Sequence, residues 1–483
     1  MDYKISGYQP EKLFHFFEEI SAIPRGSGNE KAISDYLVEF AKERNLWCHQ
    51  DDLYNVIIKK PATAGSEAKP AVMLQGHTDM VCEKLADSSH DFTKDPLDLI
   101  VKDGILTANG TTLGGDNGAA VALMLAVLDD NTLKHPALEC VFTTQEEIGL
   151  NGAAALDKSL ITSRTMINLD SEEEGVATVS CAGGLRYTLS RPISRETKEG
   201  TLLHLSVSGL LGGHSGTDID KERQNANLLV GRMVNRLFHT TDAFLVDFHG
   251  GTKDNAIPRE SQATLLFENP QDAENAEEIA INLGKDFSEE ICPFESNFKF
   301  EVSKEVGTAN VLSKEDGKAF ITALCLAPNG IQQRNMKLNG FVVTSLNLGI
   351  ADTEDSCAKL VFAPRSSVVS LMTAMKEKLA LVGETFGFTV ETTGEYPGWS
   401  FAEHSPVRDV FIQSYQELFQ KELKIEAIHA GLECGLFSDA LPGLDAIAVG
   451  PTIIGCHTPD EYIPLDSFAR FYELLTDVLK KLA

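Results

Sequence analysis

AVMLQGHTD, residues 71–79, runs from an apolar stretch straight into a histidine and an aspartate two positions apart. A short apolar run of this kind, bounded by turn-forming residues, reads as a buried strand. Two more segments share the construction. LECVFTTQEE (138–147) ends in Glu146 and Glu147, and TMINLD (165–170) ends in Asp170. Between them, NGTTLGGDNG (109–118) sets Asp116 among glycines at the mouth of NGAAVALMLAVLDD (117–130), which is nearly all apolar or small and so predicts a buried helix. Strands alternating with helices predict an α/β fold with a mostly parallel sheet and helices on both faces. Side chains at the carboxyl ends of such strands converge on one crevice.

Outward from this frame, residues 10–22 and 29–44 read as amphipathic helices, and NVIIKK (55–60) as a strand. After about residue 185 the character changes. TLLHLSVSG, AFLVDFHG, QATLLFEN, NFKFEVS, GFVVTSLNLGI and AKLVFA alternate with period two, and helices are expected at 220–239, 272–290, 316–326 and 367–386. This is an α+β segment of about 200 residues. Near residue 395 the first pattern returns, with a helix at 405–420, a strand at 445–450, a loop carrying His457 and a helix at 465–482. The expectation is a discontinuous catalytic domain, 1–185 plus 393–483, interrupted by a lid or substrate-binding domain at 186–392. A length of 483 residues fits two domains.

Composition narrows the functional classes. The net charge of −29 disfavours nucleic acid and anionic membrane surfaces, both of which repel an acidic chain. No apolar stretch approaches the roughly 18 residues that span a bilayer. The N-terminus lacks the basic-then-apolar layout of a signal peptide. Nine scattered cysteines without a Cys-x-x-Cys pair fit reduced thiols. Together these predict a cytoplasmic enzyme. Cys456, beside His457, reads as a small apolar side chain rather than a ligand.

The motifs point to metal chemistry. A ligating imidazole commonly gives its second N–H to a carboxylate, and the two-residue spacing puts His77 and Asp79 on the same face of an extended segment. In isolation, a surface turn would read the same way. Asp116 can cap the following helix or bridge two cations. The surrounding glycines predict unusual backbone there, a non-proline cis peptide after Asp116 included. Adjacent Glu146 and Glu147 repel each other at a strand end, unless one is a ligand and the other a general base. Glu172, Glu173 and Glu174 read as a solvated acidic loop. In the insert, His214, Asn255 and Arg365 lie in turns at strand ends, where a histidine can donate to an oxyanion and an Asn–Arg pair can hold a carboxylate.

HDFTKDP (90–96), NGTTLGGDNG (109–118), NLDSEEEG (168–175), CAGG (181–184), LGGHSG (211–216), NAIPRE (255–260), YPGW (396–399), IHAGLECGLF (428–437) and GPTIIGCHTPDE (450–461) span the chain. They resemble the co-catalytic zinc peptidase family that includes carnosinase, glutamate carboxypeptidase and aminoacylase. Within it they are most like the aminoacyl-histidine (Xaa-His) dipeptidase branch. Cys456 and Thr78 depart from the expected pattern without removing a functional group.

The resemblance implies two divalent ions, zinc first with manganese or cobalt able to substitute. His77, Asp116 and Asp170 would bind one, and Asp116, Glu147 and His457 the other. Asp79 would orient His77. Glu146 would be the general base toward a water activated by the metals. His214 would stabilise the oxyanion, and Asn255 and Arg365 would hold the substrate carboxylate. The implied activity is hydrolysis of Xaa-His and related dipeptides. The alternatives are an amidohydrolase of the same fold acting on N-acyl amino acids, or a catalytically silent metal-binding scaffold. A homodimer stays open, because relatives with a short lid borrow the lid histidine from a partner.

Overall fold

The computed structural model describes residues 3–483 except Cys292 and Leu338. The chain forms two compact units. The first comprises Met1–Cys181, Trp399–Ala427 and Leu432–Ala483; the second comprises Ala182–Gly398 and Ile428–Gly431. The breaks fall a few residues from the boundaries expected from sequence. The reason is strand pairing: Gly183–Pro192 lies antiparallel to Thr389–Tyr396, so both belong to the sheet of the second unit.

The first unit is built on an eight-stranded sheet. Four central strands carry the site: β1 (Val72–His77), β2 (Leu138–Thr143), β3 (Thr165–Asn168) and β4 (Asp445–Ala448). Their spatial order is β2-β1-β3-β4, and all three pairings are parallel. The flanks are antiparallel, with Val56–Lys60 against β2 and Val176–Cys181 against β4. The sheet is therefore parallel at its centre and mixed overall. Strands β1 and β2 are buried at every position, which explains their continuous apolar sequence.

Helix α1 (Gly115–Asp129) is apolar all round and is buried along almost its whole length. It packs on β1 because position 76 has no side chain: a Cβ there would lie 2.4 Å from that of Ala120. The helix Glu11–Ser21 covers it with Leu13, Phe14, Phe17 and Ile20, all fully buried. Phe14 and Phe17 both meet Phe468 edge-on, with ring centroids 5.8 and 5.9 Å apart. Each such ring contributes roughly 1.5–3 kcal/mol through burial.

The second unit has a nine-stranded sheet. Its path includes Ser261–Phe267, Phe244–Gly250, Phe341–Thr353 and Cys357–Ser366 in neighbouring positions, and every recorded pair is antiparallel. It has its own core around Phe248, Phe267, Phe287, Phe320 and Phe362. The helix expected at 220–239 begins only at Ala226. Asn225 caps it, its side chain accepting from the Asn227 N–H, and residues 219–221 form a separate single turn. No helix of the described residues is long and apolar enough to cross a membrane.

Candidate active site

Parallel register brings the strand-end residues level. His77 on β1 lies opposite Thr143 on β2, and Gln75 lies opposite Asn168 on β3. Glu146 and Glu147 follow β2, and Asp170 follows β3. Asp116 stands in the first turn of α1, where the Asp116–Asn117 peptide is cis. His457 comes from the loop after β4.

These side chains form two trios that share one carboxylate. His77 Nε2 is 3.1 Å from Asp116 Oδ1 and 3.5 Å from Asp170 Oδ1. His457 Nε2 is 3.1 Å from Asp116 Oδ2 and 3.0 Å from Glu147 Oε1. In each trio the potential ligand atoms lie within 4.8 Å of one another. Glu146 shares a further group of this kind with His77 and Glu147.

The donor set fits a pair of divalent cations. It mixes imidazole and carboxylate, as zinc sites do, and Asp116 offers one oxygen to each position. Among the described residues, no lysine or arginine forms an ion pair with Asp116, Glu147 or Asp170; their recorded partners are the two histidines. Clustered carboxylates without a fixed cation call for positive charge from elsewhere.

In the protein alone, protons supply that charge. Burial opposes ionisation of His77, but Asp170, Asp116 and Asp79 outweigh it and hold the imidazole well above its usual range. Hydrogen bonds to Asp116 and Glu147 push His457 up to about 10. Glu146 is pushed up to about 9 by burial and by nearby Asp170, Glu433 and Glu147, against the pull of His77. A ligating imidazole must be neutral, so cation binding at pH 7 expels the protons of His77 and His457. Affinity therefore falls as pH falls. Calorimetry in buffers of different ionisation enthalpy should show proton release on binding; a buffer-independent heat would contradict it.

Asp79 does more than its spacing suggested. Its backbone carbonyl bonds His77 Nδ1 at 3.0 Å, and its carboxylate, completely buried, lies 3.4 Å from the same nitrogen. It also accepts from Ser27 Oγ at 2.8 Å and from the backbone N–H groups of Glu146 and Glu147 at 3.1 and 3.3 Å. One aspartate thus fixes the orientation of His77 and the backbone of both glutamates.

Several supporting residues had no role assigned from the sequence. Glu461 accepts from the N–H groups of Leu113, Gly114 and Asp116 at 2.8, 2.9 and 3.1 Å, tying the Asp116 turn to the His457 loop. Buried Arg25 donates to the carbonyls of Thr78 and Gly114. Asn117 donates to Asp170 Oδ1 at 3.0 Å. Glu433, fully buried beneath the strand ends, accepts from Gln75 and Thr143, and burial pushes it up to about 7. His457 and Gln145 have φ of 64° and 52°. Such left-handed backbone costs of order 1–3 kcal/mol in a residue with a side chain and tends to mark functional positions.

Two expectations need adjustment. Cys456 is partly buried against the apolar core, as a small apolar side chain would be, and its sulfur also lies within 4.8 Å of carboxylate oxygens of Asp116 and Glu172. Of the acidic loop, Glu172 and Glu173 are exposed as expected, but Glu174 forms a bidentate pair with Arg470 at 2.7 Å. Both adjustments have one cause: the His457 loop and the last helix return to this strand end from almost 300 residues away.

The second unit gathers the three insert residues. Arg365 NH2 lies 3.3 Å from His214 Nε2, while its NH1 donates to the Tyr396 hydroxyl at 2.9 Å. His214 Nδ1 accepts from the N–H groups of Gly216 and Thr217, and Nε2 faces the Arg365 guanidinium. Burial and then the neighbouring guanidinium hold His214 below its usual pKa, so the ring is neutral. Asn255 lines the same cavity as Arg365 and Tyr396. His429, in the short return segment, bonds Ser345 through Nε2 at 2.7 Å and is pushed down to about 3, first by burial and then by Arg365.

The family model for peptidase family M20/M25/M40 matches residues 73–481. The chain is 37% identical to cytosol non-specific dipeptidase of Escherichia coli (strain K12) over 99% of both sequences. It superposes on the crystal structure of aminoacylhistidine dipeptidase from Vibrio alginolyticus with a TM-score of 0.95 and 36% identity, covering 99% of this chain and 98% of that one. Aminopeptidase PepT from Bacillus cereus ATCC 10987 shares the fold, at 17% identity and a TM-score of 0.55 over 98% of each chain. With a family match across most of its length and full-length relatives well above 30% identity, the chain belongs to peptidase family M20/M25/M40.

Proposed function

We infer that the chain is a metal-dependent dipeptidase that works in the cytoplasm and cleaves Xaa-His and related dipeptides. The observation that carries this reading is the pair of ligand trios sharing Asp116, with Glu146 beside them. The full-length relatives named as dipeptidases supply the substrate class. The relative named as an aminoacylhistidine dipeptidase supports the histidine preference, and the one named a cytosol enzyme supports the compartment.

His77, Asp116 and Asp170 would hold one cation, and Asp116, Glu147 and His457 the other, with zinc the first candidate and manganese or cobalt the substitutes. When bound, such a pair supplies Lewis acidity and lowers the pKa of water toward neutrality. The remaining work falls to side chains. Glu146 takes a proton from the attacking water and returns it to the leaving amine. Asp79 holds the His77 ring and the Glu146 backbone still while this happens. His214 donates Nε2–H to the oxygen that gains charge as the carbonyl becomes tetrahedral. Arg365 and Asn255 hold the substrate's carboxylate. In this reading the first unit is the catalytic domain and the second the substrate-binding one.

The test is hydrolysis of β-Ala-His, Gly-His, Ala-His, Leu-Gly and Cys-Gly beside a tripeptide and N-acetyl amino acids, before and after chelation and readdition of Zn²⁺, Mn²⁺ or Co²⁺. Metal-restored cleavage confined to dipeptides, with the histidine substrates fastest, is expected. Cleavage of N-acetyl amino acids alone would move the chain to the amidohydrolases.

A further inference from the structure

The cavity that holds Arg365 and Asn255 also contains the means to select the substrate's last side chain. It lies wholly within the second unit and has a volume of about 410 Å³. Most of its wall is small or apolar, with Gly184, Ala363, Pro364 and Gly394 among the contributors. Beyond Arg365, only Arg186 and Asp254 bring charge to it. The lining therefore carries one net positive charge, which suits a carboxylate, and Asp254 is its one anionic group.

The Asp254 carboxylate is placed and largely unspent. Its Oδ1 accepts from the Asn255 N–H at 3.0 Å. Its Oδ2 has Arg186 Nε no closer than 3.9 Å, beyond hydrogen-bond range. The backbone beneath is fixed. Buried Asn347 donates through Nδ2 to the carbonyls of Asp254 and Ala256 at 3.1 and 2.8 Å. Gly349 of the strand Phe341–Thr353 comes so close that a Cβ there would lie 2.4 Å from the Asp254 carbonyl oxygen. Arg186 is the weaker influence. Its side chain is 47% exposed against 28% for Asp254, so solvent screens it more.

In a dipeptide the terminal carboxylate and the last side chain branch from one Cα. A carboxylate held by Arg365 and Asn255 therefore places that side chain in the cavity that Asp254 also lines. We propose that Asp254 determines specificity at the second position of the dipeptide, accepting a hydrogen bond from a donor-bearing side chain, imidazole or ammonium, and repelling a carboxylate. This rests on the reading of Arg365 and Asn255 as the carboxylate clamp.

The experiment measures kcat and KM for Gly-His, Gly-Lys, Gly-Leu and Gly-Glu with the metal-loaded wild type, Asp254→Asn and Arg365→Met. The amide is isosteric with the carboxylate and keeps the acceptor for the Asn255 N–H. The wild type should prefer the first two peptides to the last. Asp254→Asn should lower the Gly-Lys to Gly-Glu ratio of kcat/KM by about tenfold or more, the scale of one charge-assisted hydrogen bond. Arg365→Met should raise KM for all four. Unchanged ratios in Asp254→Asn, with KM raised throughout by Arg365→Met, would overturn the proposal and leave the clamp standing. Unchanged KM values in Arg365→Met would remove the clamp, and the proposal with it.

Discussion

Glu146→Gln should lower kcat on dipeptides by about 10²- to 10⁴-fold, the usual contribution of a positioned acid–base group. The shape of the side chain is kept, and the backbone N–H of residue 146 still has Asp79 Oδ1 to bond at 3.1 Å. What is lost is a carboxylate able to take a proton from water and pass it to the leaving amine. Neither trio that shares Asp116 includes Glu146, so the variant should keep its cations. KM should change little. Metal analysis and steady-state kinetics on one preparation check both halves. A variant that kept full kcat would remove Glu146 from the mechanism. A variant that lost activity together with its metal would make it a ligand instead.

Asp116→Asn should be at least as damaging, by a different route. Asp116 is the only side chain in both trios, with Oδ1 facing His77 and Oδ2 facing His457. A neutral amide removes a charged ligand from both positions at once. Loss of an outer partner of a metal ligand typically costs 10- to 100-fold. Loss of the shared ligand should exceed that, with activity down by on the order of 10³ or more and metal content below two per chain. His457→Ala is the informative partner, because His457 belongs to one trio only. It should weaken one position and spare the other. Equal losses of both cations in the two variants would contradict a shared Asp116.

What the sequence made legible follows from where information is local. An apolar strand that ends in an acid or imidazole states its element and where its last polar side chain lies, and the structure brings His77, Glu147 and Asp170 together at one end of the sheet. Helix α1 was legible because a helix apolar on every face has one home. The supporting residues were not legible. Arg25 sits in an ordinary-looking segment, and Glu433 and Glu461 lie in stretches that signal the family without showing what these side chains do; each acts on backbone or side chains far away in sequence, and Glu461 reaches Leu113, Gly114 and Asp116. Long-range pairing of this kind leaves no period to read. The same holds for His429, which the chain returns to the second unit in a segment of four residues. Strands such as Trp47–Gln50 and Thr389–Tyr396 were missed because they lie at sheet edges, where exposed positions erase the alternation.

In the proposed function, two cations sharing Asp116 are what make this chain a dipeptidase. The most direct measurement is a titration of the chelated protein with Zn²⁺, reading bound metal and hydrolysis of Gly-His in the same samples. Binding should saturate at two ions per chain, with activity returning as the sites fill and absent in the stripped protein. Full activity in the stripped protein, or two ions bound with no cleavage of any dipeptide, would contradict it.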